Sequence, residues 1–124
     1  MVKVIELAFT CYPVKNMARA RAFYEKIIGL TPTMVHEKEG SSWTEYEVAG
    51  GAFSLGQADG WLPSDNGASI AFEMEDFDAA IDTLREHGVR FKMEPFPTPV
   101  CRMAFILDPE GNTVCIHKRN PGHH

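Results

Sequence analysis

The sequence predicts an α+β fold made of two copies of one module, a strand and a helix followed by three strands. Short β-branched and aromatic runs bounded by Gly, Pro, Asn and Asp have the pattern of strands joined by hairpins. Two further segments carry apolar residues at helical spacing, each begun by Asn or Asp and closed by Gly. These segments also align with each other. Laying Phe9 on Ser69 puts Asn16 on Asp76, Met17 on Phe77, Ala20 on Ala80 and Tyr24 on Leu84, and Gly29 falls against Gly88 with a one-residue slip. An offset of about 60 residues makes the halves one repeated plan, although two halves of an ordinary α+β sandwich could match this far by chance.

In the first half, residues 2–12 form a β-branched and aromatic run ended by Pro13, the first expected strand. Asn16 stands where an N-cap belongs. Met17, Ala20, Tyr24, Ile27 and Ile28 follow at helical spacing with Arg19, Glu25 and Lys26 off the stripe, and Gly29 closes the helix. A short helix with one apolar face covers a sheet. Strands are expected over residues 33–37, 43–48 and 52–56, the last two joined through Gly50-Gly51. Glu37-Lys38-Glu39-Gly40 reads as a solvated hairpin turn.

In the second half, residues 68–74 read as a strand and Asp76 as an N-cap. Phe77, Ala80, Ile81 and Leu84 form the stripe of a helix ending near Gly88. His87 in the last turn suits the negative end of the helix dipole, and Glu73, Glu75, Asp76 and Asp78 suit its positive end better than they suit a metal cluster. Residues 89–93, 102–107 and 113–118 supply three strands, the last two flanking Asp108-Pro109-Glu110-Gly111-Asn112. In that turn Pro presets φ and Gly supplies a positive one. The linker covers about residues 61–67, centred on PSDNG at 63–67. Module one thus spans about residues 1–60 and module two about 68–120 of a single domain, with 121–124 as a tail; the terminal His123-His124 reads as a tag remnant.

A chain of 124 residues, 44% hydrophobic and 23% charged, suits one compact unit and is too short for two full-size domains. A net charge of -5 without any Lys/Arg cluster speaks against nucleic acid or an anionic membrane as partner and leaves small molecules and proteins. No apolar stretch approaches the roughly 20 residues of a membrane helix, and the first residues lack a secretory pattern, so a cytoplasmic protein is expected. Cys11, Cys101 and Cys115, widely spaced and without a CxxC, fit reduced thiols.

Two motifs carry a resemblance. Val14, Asn16-Met17 and the run Ala22-Phe23-Tyr24-Glu25-Lys26-Ile27-Ile28-Gly29-Leu30 are similar to the helix end, and Ile106-Leu107 with Asp108-Pro109-Glu110-Gly111-Asn112 to the closing hairpin, of the vicinal oxygen chelate superfamily, the glyoxalase, bleomycin-resistance and extradiol-dioxygenase group. The resemblance implies that the two βαβββ modules form an incomplete, bowl-shaped barrel with helices outside, often completed in a homodimer. It also implies a cleft for a small molecule. Family members that do chemistry usually hold a divalent metal there with His, Glu or Gln.

At the positions where the resemblance places those ligands, this chain carries Phe9, Ser54 (within a residue or two), Ser69 and Cys115. Phe has no donor atom, neutral serines are poor ligands for a divalent ion, and one thiolate without His or carboxylate neighbours binds weakly. The usual metal site is therefore expected to be absent, with no cofactor; a metal held by displaced ligands among His36, Glu47, Cys115 and His117 is the alternative.

Other residues admit two readings. Cys115 and His117 share a strand face and could form an activated thiolate pair, or Cys115 is a small core residue and His117 lies near the strand's exposed end. Tyr12, Trp43 and Tyr46 could line the cleft or fill the core. Cys101 and Arg102 follow Pro95-Phe96-Pro97-Thr98-Pro99, a loop expected over the cleft mouth, where Arg102 could meet an anion or face solvent. Cys11 shares the face of Phe9. The leading expectation is a metal-free protein binding a small hydrophobic or aromatic molecule through Phe9, Cys11, Tyr12, Trp43, Tyr46, Ser54, Ser69, Cys101, Arg102 and Cys115. The rivals are a metal-dependent lyase or dioxygenase and a dimeric accessory module without a ligand.

Overall fold

The structure, a computed structural model, describes Met1, Lys3 and residues 5–122. Val2 and Val4 of the expected first strand and the terminal His123-His124 lie outside the described residues. Contacts divide the chain into two units, Met1–Leu62 and Pro63–His124.

The first unit holds β1 (Thr10–Pro13), α1 (Met17–Ala22), β2 (Pro32–Lys38), β3 (Ser41–Val48) and β4 (Gly51–Ala58) in a sheet of order β1-β4-β3-β2. β1 runs parallel to β4, and the other neighbours are antiparallel. β1 is shorter than the expected 2–12. Its ladder with β4 begins at Thr10, and without ladder partners Ile5 and Leu7 stay exposed despite their strand propensity. Asn16 caps α1, its side chain accepting from the Arg19 N–H at 3.0 Å. The chain then widens into a π-type turn over Phe23–Ile27, with the Ile28 N–H reaching the Phe23 carbonyl at 3.0 Å. An unbroken α-helix was expected there. The wider turn buries two successive aromatics, Phe23 and Tyr24, which meet edge to face at 5.0 Å.

The hairpin between β3 and β4 turns on Ala49-Gly50 rather than Gly50-Gly51. Both central residues have positive φ, 48° and 87°, the type I′ geometry that matches strand twist, and Gly51 already pairs with Val48.

The second unit repeats this topology. β5 (Ile70–Glu73), α2 (Phe77–Glu86), β6 (Phe91–Pro97), β7 (Cys101–Leu107) and β8 (Thr113–Arg119) form a sheet of order β5-β8-β7-β6, with β5 parallel to β8. Asp76 caps α2 by accepting from the Ala79 N–H at 3.1 Å. Phe77, Ile81 and Leu84 are the buried stripe of α2. The proline-spaced segment is not a loop over a cleft. Pro95 and Pro97 belong to β6, an edge strand with irregular register, where proline is tolerated and discourages pairing with another chain.

The five-residue turn before β8 is held by its first member. The buried Asp108 carboxylate accepts from the Glu110 and Asn112 N–H groups, each at 2.9 Å, and from Asn112 Nδ2 at 3.3 Å. Asn112 Oδ1 in turn accepts from the Ser64 N–H at 3.2 Å, which ties the linker to the hairpin. Two turn residues would close the hairpin but could not satisfy the linker.

Candidate functional site

Each sheet has a face covered by its own helix and a face that this helix leaves free, and strand register decides which side chains go where. On the first sheet Tyr12 and Thr44 lie against Leu55, and Tyr46 against Phe53. This is the helix side. Tyr24 meets Phe53 at 5.2 Å, Thr44 Oγ1 donates to Met17 Sδ, and Tyr46 OH donates to Glu25 Oε2 at 2.8 Å. Burial, then the Glu25 bond, pushes the Tyr46 phenol pKa upward. Glu25 also takes Arg21 Nε at 2.7 Å; burial alone would raise its pKa, but Arg21 and Tyr46 hold it below the usual value. Tyr12 and Tyr46 are therefore core residues, on the opposite face of their sheet from Cys11, Trp43 and Ser54.

The free face of the first sheet carries Cys11 beside Ser54 and Trp43 beside Gly56. Phe9 stands edge-on to Trp43 at 5.2 Å. Trp61, which sequence reasoning passed over, lies on the same face: a Cβ at Gly56 would overlap its ring. The signal was a lone glycine inside a strand, which marks close approach. Ser54 Oγ donates to the Thr10 carbonyl at 3.3 Å. Burial raises the Cys11 thiol pKa, partly offset by Ser54. His36 pairs with Trp43 on this face, and Glu47 lies four residues along β3, about 13 Å at roughly 3.3 Å per residue, so these two do not converge.

On the second sheet Arg102 lies on the helix side, 4.5 Å over the Phe77 ring and 2.7 Å from Asp78. Its partners there, Phe77 and Asp78, both belong to α2. The free face carries Ala71, Phe105 and Cys115 in one row and Glu73, Met103 and His117 in the next. Cys101, also buried, shares its sulfur with Thr98 Oγ1 at 3.0 Å. Cys115 and His117 do share a face but do not form a dyad. His117 Nδ1 is 2.6 Å from Glu73 Oε1, whereas Cys115 Sγ faces Met103 Sδ at 4.0 Å and the Ile116 carbonyl at 3.8 Å. Burial, with Cys101 adding to it, pushes the Cys115 thiol up to about 11, which favours its protonated form at neutral pH.

Beside this row opens a cleft of about 360 Å³, lined by residues 65–67 of the linker, Ser69, Lys92, Met93, Phe105 and Thr113. Its volume falls in the range of small-molecule pockets, roughly 300–1,000 Å³. Of the expected ligand-binding residues only Ser69 lines it. Phe105, stacked on Phe96 at 6.4 Å, and Met93, half exposed, give it an apolar wall. Among the described residues no group of three or more His, Cys, Asp or Glu converges, and no helix is long and apolar enough to cross a membrane.

Residues 6–116 match the Glyoxalase/Bleomycin resistance protein/Dioxygenase superfamily. No curated protein matches the sequence. Solved structures of similar fold include a glyoxylase/bleomycin resistance protein/dioxygenase domain from a Frankia species, at TM-score 0.79 and 17% identity over 98% of this chain and 97% of that one. TnmS3, an antibiotic binding protein from a Streptomyces species, matches at TM-score 0.77 and 24% identity over 97% of this chain and 100% of its own. FosX, a genomically encoded fosfomycin resistance protein from Listeria monocytogenes, matches at TM-score 0.79 and 18% identity over 96% and 97%. At such identities the likeness shows the fold alone.

Proposed function

Because the chain belongs to the Glyoxalase/Bleomycin resistance protein/Dioxygenase superfamily, we propose that it binds a small hydrophobic or aromatic molecule without the divalent metal used by the family's enzymes. The chemistry at the metal-ligand positions carries this reading. Phe9 offers no donor, the Ser54 hydroxyl is engaged by a main-chain carbonyl, Ser69 is neutral, and the Cys115 thiol, at about 11, holds its proton. Such donors do not suit a divalent ion. The displaced candidates fare no better, with His36 and Glu47 apart on one sheet and His117 engaged by Glu73. The cleft on the second sheet, by contrast, offers thioether and aromatic walls of the kind that hold planar ligands.

The antibiotic binding protein and the fosfomycin resistance protein among the structural likenesses make drug-sized compounds the class to screen first. The reading extends to a cytoplasmic homodimer, supported by three free cysteines and by the exposed Ile5 and Leu7. Metal counted per chain on tag-free protein, after Mn, Fe, Co, Ni and Zn are offered and dialysed away, is expected to be far below stoichiometric. Stoichiometric metal that is lost in His117→Ala would instead establish the lyase or dioxygenase alternative.

A further inference from the structure

We propose that the cleft on the second sheet takes an aromatic anion, its ring against Met93 and Phe105 and its charged group on the Lys92 ammonium. This rests on the small-molecule reading above and narrows its ligand class.

Lys92 is the cation of the cleft. Its Nζ donates to the Asp65 main-chain carbonyl and, at 3.5 Å, to Thr113 Oγ1. Both acceptors are neutral, and among the described residues Lys92 has no ion-pair partner. Arg21, Arg85, Arg102 and Arg119 each face a carboxylate, that of Glu25, Glu94, Asp78 and Glu73 respectively. Lys92 is thus held in place by two neutral oxygens, a main-chain carbonyl and a hydroxyl, rather than by an ion pair. An ammonium has three N–H donors and two are engaged, so one remains for a ligand. A side chain already held this way loses less freedom when a ligand arrives.

Asp65 also lines the cleft, and its carbonyl receives both Lys92 and the Thr113 hydroxyl, at 3.1 Å for the latter. The linker carbonyl therefore fixes the two side chains at the polar end. Ser69 lines the same cleft with a hydroxyl, while Met93 and Phe105 pair across β6 and β7 and form the apolar end. One polar end with a positive charge and one flat apolar wall match a ring bearing a carboxylate, sulfonate or phenolate.

Two probes that share a ring system test this: 8-anilinonaphthalene-1-sulfonate and the uncharged N-phenyl-1-naphthylamine, titrated by emission into wild type, Lys92→Gln, Lys92→Arg and Met93→Ala. Lys92→Gln is expected to weaken the sulfonate about tenfold and to leave the neutral probe unchanged. Lys92→Arg retains the sulfonate, and Met93→Ala weakens both. If both probes bind wild type but Lys92→Gln moves them equally, or Met93→Ala moves neither, the anion site is overturned and small-molecule binding stands. If neither probe binds wild type, both readings fall.

Discussion

Tyr46 and Cys115, both buried strand residues, show how single side chains set the energetics of this chain. Tyr46 donates to Glu25, which Arg21 also holds. Tyr46→Phe is expected to cost about 1–2 kcal/mol in urea unfolding, since a partly buried carboxylate loses a hydrogen bond. A double-mutant cycle with Glu25→Gln should show coupling above about 0.5 kcal/mol. Glu25 has a depressed folded-state pKa, so its contribution is complete above the unfolded value and is lost as pH falls through the folded one. Glu25→Gln should therefore flatten the acid limb of the stability profile. Cys115 has the opposite sign. Its folded pKa is raised to about 11, so the folded state keeps its proton longer and stability falls between the unfolded value and about 11. Cys115→Val should reduce that alkaline decline by up to about 1.4 kcal/mol per pH unit, and the wild-type thiol should resist iodoacetamide at neutral pH.

At the level of elements, turn chemistry was largely legible and register was not. Asn16 and Asp76 were recognisable as caps because their short side chains reach the third N–H beyond them. The hairpin after β3 was located by its glycines, but two adjacent glycines left the turn ambiguous by one residue, and the ladder chose Ala49-Gly50. Ala49 carries a steric penalty in the left-handed region, so Ala49→Asn is expected to stabilise the protein by about 0.5–1 kcal/mol in thermal or urea melts. The turn before β8 behaves differently, because Asp108 satisfies three donors from inside the protein. Asp108→Ala should cost about 2 kcal/mol or more by leaving those donors unpaired. The widened turn at Phe23–Ile27 had no local signal, since it arises from side-chain burial, whereas Pro95 and Pro97 were a local mark of the irregular edge strand β6 that the loop reading passed over.

For the whole molecule, the repeated plan seen in the alignment of Asn16 with Asp76 reappears as two sheets of the same strand order, each with its first strand parallel to its last. The metal-free proposal has a global readout: excess EDTA is expected to leave the melting temperature unchanged, because a chelator lowers stability only where a bound ion had raised it. A fall in melting temperature reversed by one particular divalent ion would count for the enzyme alternative.

The sequence by itself determined the α+β class, the two modules and their caps, and the absence of metal-type side chains at Phe9 and Ser69, because hydrophobic period, capping chemistry and residue identity are local properties. Only the tertiary structure decided that Tyr12, Tyr46 and Arg102 sit on the helix side while Cys11, Trp43 and Cys115 sit on the other. A strand's two faces exchange with a one-residue slip, and only pairing with neighbours removes that ambiguity. The cleft is tertiary for the same reason: Ser69, Lys92, Phe105 and Thr113 belong to separate stretches of chain, and strand pairing alone brings the last three together.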